Sequence, residues 1–180
     1  ALLNYAFEIM LKESLGKENS DVRLKAIYEI ARGAGIYGMI GGQVVDIESE
    51  NKSIEKEKLD FIYRLKTSAL IEASMMIGSV LAGATGSEQK IVEAVASKVG
   101  LAFQIQDDIL DVTSTMEVLG KPIGSDEKNH KSTYVTYEGI EKAKQDVADL
   151  SEKAIAQMET LVVKNEFLTE LLRYLISREK

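Results

Sequence analysis

Apolar residues recur at helical spacing along almost the whole chain, and strand-like alternation is nowhere sustained. That periodicity, with a single proline in 180 residues, most constrains what this chain can become. It predicts an all-α bundle. The abundance of Ala, Leu, Ile, Glu and Lys and the scarcity of aromatics favour helices in the same way. The length suits one domain with a real core, spanning residues 1 to 180, and leaves little room for two.

The periodicity divides the chain into segments. A first helix runs from near residue 1 to Leu15 and is ended by Gly16; Leu3, Phe7 and Met10 already sit at helical spacing. A chain that opens inside an amphipathic helix without Met reads as a piece of a longer protein. Ser20 or Asp21 is expected to cap a second helix, with Val22, Ala26, Ile30 and Ala31 on its inner face. Gly33, Gly35, Gly38, Gly41 and Gly42 follow. Each costs a helix interior roughly 1 kcal/mol relative to Ala, so close approach of another helix or a ligand explains them better. Ser53 is expected to open a further helix, bent near Lys66 and Thr67, and Ser87 the next, which continues to about Val112. A loop from Thr113 to Thr133, with a doubtful strand at YVTY (134–137), leads to helices over Gly139 to Glu159 and Asn165 to Arg178.

Charge and composition remove several function classes. A net charge of −7 is wrong for a general nucleic-acid binder or for adhesion to anionic lipid. The apolar stretch ASMMIGSVLAGATGS, residues 73–87, is shorter than the roughly 20 residues of a membrane span and reads as a buried helix. No stretch of these 180 residues reads as a secretory signal. The absence of Cys excludes a disulfide framework and thiolate metal sites and fits a reducing compartment. The single histidine, His130, excludes a His-rich zinc site and reads as a loop residue.

The chemistry concentrates in FQIQDDILDVT and the loop after it. Asp107 and Asp111 are four apart, hence on one helix face about 5 to 6 Å apart at Cβ, with Asp108 about 100° round. Such a set repels itself unless a cation neutralises it, and Mg²⁺ takes hard oxygen ligands. A bare DDxxD is more often a solvated acidic patch, but the apolar flanks and the lysines that follow argue against that here. The following loop carries Lys121, Lys128 and Lys131 and is not a P-loop, since Pro122 stands where Ser or Thr is required. Its lysines can still act as point charges for phosphate or simply be solvated. Lys66, inside an apolar helix, needs a partner that an anionic ligand would supply. Gln43 and Asp46 share a helix face beside a glycine pair, fit for a ligand or an interhelical hydrogen bond.

In this order, ALLNYAFEI, GMIGGQVVDI, YRLKTSALIEAS, FQIQDDILDVT and GKPIGSDEKNHKSTYV resemble the trans-prenyl diphosphate synthases of farnesyl and geranylgeranyl type. The resemblance implies an isoprenoid-synthase-type helical bundle, with the family's N-terminal helices lying upstream of this sequence. It implies a cytoplasmic homodimer with Mg²⁺ as cofactor. Its substrates would be an allylic diphosphate and isopentenyl diphosphate, joined head to tail. Asp107, Asp108 and Asp111 match the second aspartate-rich motif, Asp107 as direct Mg²⁺ ligand and Asp111 through water. Lys66, Lys121 and Lys131 match lysines that hold the allylic diphosphate; Thr67 and Gln104 match the reaction centre. Gln43 and Asp46 match a pair beside the allylic site, and Phe103 a wall near the homoallylic substrate. The family's first aspartate-rich motif and its isopentenyl diphosphate ligands are not in these 180 residues, so the chain alone is expected to be inactive. A terpene cyclase of the same fold, a non-catalytic partner subunit and a plain helical interaction module are the alternatives. The intact DDILD argues against the first two and Lys66 against the third.

Overall fold

The computed structural model describes residues 1–114 and 132–177, all of them helical or in connections. Helices α1 (Leu2–Ser14) and α2 (Ser20–Ala34) come first, then α3 (Met39–Glu48) and α4 (Lys56–Tyr63). A π-helical turn, Arg64–Ser68, joins α4 to α5 (Ala69–Leu81) without a break. The long α6 (Gly86–Thr113) is followed by α7 (Tyr134–Glu138), α8 (Ile140–Met158) and α9 (Glu166–Ser177).

The architecture is built on α6, which packs most extensively against α8. Val95 and Val99 of α6 meet Ala154, Met158 and Leu172 at one end. Further along, Ala102, Ile105 and Ile109 meet Ala143 and Val147. Leu59, Ile62 and Tyr63 of α4 form a third cluster, bordered by Val45 and Ile54. Two of the expected close approaches position the site. At Gly33 a Cβ would lie 2.8 Å from the Ala69 carbonyl oxygen, so α2 lies directly on α5. At Gly42 it would lie 2.3 Å from the Lys66 nitrogen, so α3 rests on the π-helical turn.

Several boundaries differ from the sequence reading. Asn19, in the left-handed region, precedes α2 without a side-chain cap, and neither Ser20 nor Asp21 serves as one. Val22 and Ala31 are exposed; Ala26, Gly33 and Ala34 form the buried face, because α2 meets α5 through its small residues. α4 begins at Lys56 rather than Ser53, and Thr85, not Ser87, caps α6 through a reciprocal box with Glu88. YVTY is a helical turn capped by Thr133. Residues 73–87 are only partly buried: Ala73, Ser79 and Val80 face inward, while Gly78 and Leu81 are exposed. Among the described residues, no helix is long and apolar enough to cross a membrane.

Candidate active site

The pocket lies where α3, α4, the π-helical turn and α6 converge, closed on one side by Ser132 and Thr133. Its volume is about 120 Å³. Ile54, Leu59 and Ile62 make its apolar wall; Asp46, Lys66, Gln104, Asp107 and Asp108 bring the polar groups.

Local sequence explains the arrangement. Gly42 lets α3 touch the turn, and Asp46, one helical turn on, therefore faces it. Lys66 Nζ donates to Asp46 Oδ2 at 2.6 Å. The lysine expected to need a partner in an apolar helix thus finds its first one within the chain. Both side chains remain partly exposed, at 34% and 14%, so this pair contributes at most about 1 kcal/mol. Its consequence is orientation: a cationic nitrogen is held at the pocket. π-Helical turns often mark functional sites, and here the wide turn sends successive side chains to different neighbours. Lys66 reaches α3, Thr67 donates to Gln104 Oε1 of α6 at 2.8 Å, and Ser68 packs against Gly100.

The three aspartates separate. Asp107 is half-buried and lines the pocket. Asp108 is only 4% exposed and accepts from the Tyr63 hydroxyl and, at 2.7 Å, from the backbone N–H of Tyr134. Asp111 is buried and lies outside the pocket wall. Among the described residues, no three acidic or imidazole side chains converge as a metal cage. Gln43 is exposed and Phe103 half-buried, and neither lines the pocket. Lys121, Lys128, His130 and Lys131 lie outside the described residues.

Sequence reasoning missed Tyr63, Ser49 and Thr133, all of which line the pocket. Tyr63 carried a signal: it stands three residues before Lys66, hence on the same side of the helix. Tyr134 lies next to the pocket, and its hydroxyl donates to Asp146 Oδ2 at 2.8 Å. Burial, and then that acidic partner, push the Tyr134 phenol far above its ordinary value. It stays protonated at any ordinary pH and acts as a fixed donor.

The model of the polyprenyl synthetase family matches residues 1–172. The chain belongs to that family. It is 34% identical over 178 residues to the farnesyl diphosphate synthase of Geobacillus stearothermophilus, covering 99% of this chain and 60% of that protein. Against the farnesyl diphosphate synthase of Escherichia coli (strain K12) the identity is 36%, covering 100% and 62%. Against the chloroplastic geranylgeranyl pyrophosphate synthase of Capsicum annuum it is 41%, covering 88% and 43%. Among solved structures, the geranyltransferase of Helicobacter pylori complexed with magnesium and isoprenyl diphosphate superposes with a TM-score of 0.78 at 33% identity. That match covers 96% of this chain and 56% of the other. An FPP/GFPP synthase from Zymomonas mobilis gives 0.79 at 29% identity, covering 96% and 57%. This polyprenyl synthetase chain therefore spans about 60% of the length of its bacterial farnesyl diphosphate synthase relatives.

Proposed function

We propose that this chain carries part of the active site of a Mg²⁺-dependent prenyltransferase. The enzyme would join an allylic diphosphate head to tail (1′-4) with isopentenyl diphosphate, giving a short-chain product such as farnesyl or geranylgeranyl diphosphate. The observation that carries this reading is the presence of Lys66, Gln104 and Asp107 at one pocket with Ile54, Leu59 and Ile62 along one side, and with Thr67 bonded to Gln104.

The donor set suits Mg²⁺ as part of a larger site. Asp107 brings hard oxygen to the pocket, and such a cation is commonly held by one or two carboxylates, waters and substrate phosphate together. Asp107 would ligate it directly and Asp111 through water, with Asp108 completing the motif. Bound Mg²⁺ would supply neutralisation of the charge that develops on the departing diphosphate. Lys66 would add its point charge to the same oxygens, having been oriented by Asp46. Lys121 and Lys131 would assist from the segment after the motif. Thr67 and Gln104 would line the reacting end of the allylic chain, with Gln43 and Asp46 beside it and Phe103 toward the homoallylic substrate. Ile54, Leu59 and Ile62 would exclude the water that otherwise captures an allylic cation.

Residues 1–180 would form one domain, part of a longer polyprenyl synthase domain acting as a cytoplasmic homodimer. The 180 residues alone would not turn over, because one aspartate motif supplies too few ligands for the metal. The deciding experiment is titration of Mg²⁺ and inorganic pyrophosphate into the protein, with and without Lys66→Met. Metal-dependent binding that Lys66→Met abolishes is expected. No binding by the full-length protein would sink the reading.

A further inference from the structure

Tyr63 is buried at the end of α4, and a buried phenol hydroxyl needs a partner. It donates to Asp108 Oδ2 and accepts from the backbone N–H of Tyr134 at 3.1 Å. That same N–H lies 2.7 Å from Asp108 Oδ2. Three elements far apart in sequence, α4, α6 and the start of α7, therefore meet at one carboxylate oxygen.

Asp108 is followed and preceded by helix, so what holds its carboxylate helps to set the roll of that end of α6 about its axis, beside the packing of Ile105 and Ile109 on α8. Asp107 is the adjacent residue and Gln104 lies one turn back, so both turn with it. Tyr63 stands one turn before Lys66 and Thr67. The knot thus fixes the wall bearing Lys66 against the wall bearing Asp107. Thr67 to Gln104 is a second tie across the same seam, but between half-buried groups with neutral partners. A hydrogen bond to a buried carboxylate is the stronger kind.

We propose that Tyr63 is a positioning residue: its hydroxyl, engaged by Asp108 and the Tyr134 N–H, holds Asp108 so that Asp107 and Lys66 face the same pocket in register. This rests on the reading of the pocket as a diphosphate site. Deleting the hydroxyl leaves the ring to fill its place in the α4 cluster while α4 loses its tie to Asp108.

The test is Mg²⁺-dependent binding of inorganic pyrophosphate to the full-length protein that contains this chain. Wild type, Tyr63→Phe and Val95→Ala are compared, each also unfolded in urea. Val95 is fully buried between α6, α8 and α9, away from the pocket, and serves as a stability control. Tyr63→Phe is expected to weaken binding about tenfold, the loss of one charge-assisted hydrogen bond's worth of alignment. Val95→Ala is expected to lose at least as much stability and to bind within about twofold of wild type. If Tyr63→Phe is unfolded in buffer, the titration is repeated in an osmolyte that restores the fold. Binding by folded Tyr63→Phe within twofold of wild type overturns the proposal. So does an equal loss in Val95→Ala, which would mean that any destabilisation weakens the site. Wild type that binds no pyrophosphate overturns the diphosphate reading itself, a result visible before any variant is compared.

Discussion

The α4–α6–α8 half and the α1–α2 layer share one chain and one helical period, yet they bury very different shares of it. Ile105, Val95, Ala102, Ala143 and Ala154 are wholly enclosed in the first. In α1, only Ser14 is buried, while Leu2, Leu3, Tyr5, Ile9 and Leu11 stay exposed, Leu2 at 85%. The polar groups differ as well. Around the pocket they are tied across elements, as in Lys66–Asp46, Thr67–Gln104 and Tyr63–Asp108. On α2, the Arg32–Glu29 pair is local, three residues apart. A helix's apolar stripe shows that it can be buried; only its neighbours decide whether it is.

Substitutions at matched residues in the two regions put that contrast to the test, and the largest effect belongs to the core. Ile105→Ala is expected to destabilise by about 3–4 kcal/mol, since a fully enclosed side chain leaves a cavity. Leu3→Ala on α1 should change stability by less than about 0.5 kcal/mol, and urea midpoints compare the two directly. An equal loss at both sites would mean that α1 is covered in solution.

Glycine gives the next contrast. Gly42→Ala drives a methyl into the Lys66 backbone and should cost about 2–3 kcal/mol while displacing Asp46 from Lys66. Gly78→Ala meets open space within the chain and should stabilise α5 by about 0.5–1 kcal/mol. A destabilising Gly78→Ala would show that another copy packs closely there. Thr85→Ala, which removes the α6 cap, should cost about 1 kcal/mol.

The smallest effect lies at the seam between the regions. Burial holds the Glu72 carboxyl above its usual range, against a hydrogen bond with Ser97. Glu93 of α6 raises it further, and Arg32 of α2 and Arg64 of the turn act the other way. The folded chain keeps this proton at a pH where the unfolded chain has lost it. Stability therefore falls as pH rises from the ordinary carboxylate value through the raised one. Glu72→Gln should be more stable than wild type at neutral pH, and the difference should vanish on acidification below pH 4.5. Urea titrations at pH 4 and pH 7 check this; a gap that widens toward acid would break it.

Much of the fold was legible because it is local. The helical period located α1, α2, α6, α8 and α9; where a bend or break is expected near Lys66 and Thr67, the helix runs on through a π-helical turn. The caps were less legible, since Ser20, Ser53 and Ser87 have the right chemistry but the chain turns elsewhere. For the site, the order of motifs brought out Lys66, Thr67, Gln104 and Asp107, and the structure brings their elements to one pocket. It does not bring Gln43 or Phe103 to that pocket wall, although each sits beside a residue that helps to build it.

By itself the sequence determined the all-α class, the glycines that require close approach and the aspartate motif, because period, backbone freedom and charge are properties of neighbouring residues. Only the tertiary structure decided that Asp46 serves Lys66 and that Asp108 answers to Tyr63 and Tyr134. Those pairings span 20, 45 and 26 residues. No local rule ranks one distant partner above another; the packing of α3, α4 and α7 on α6 does.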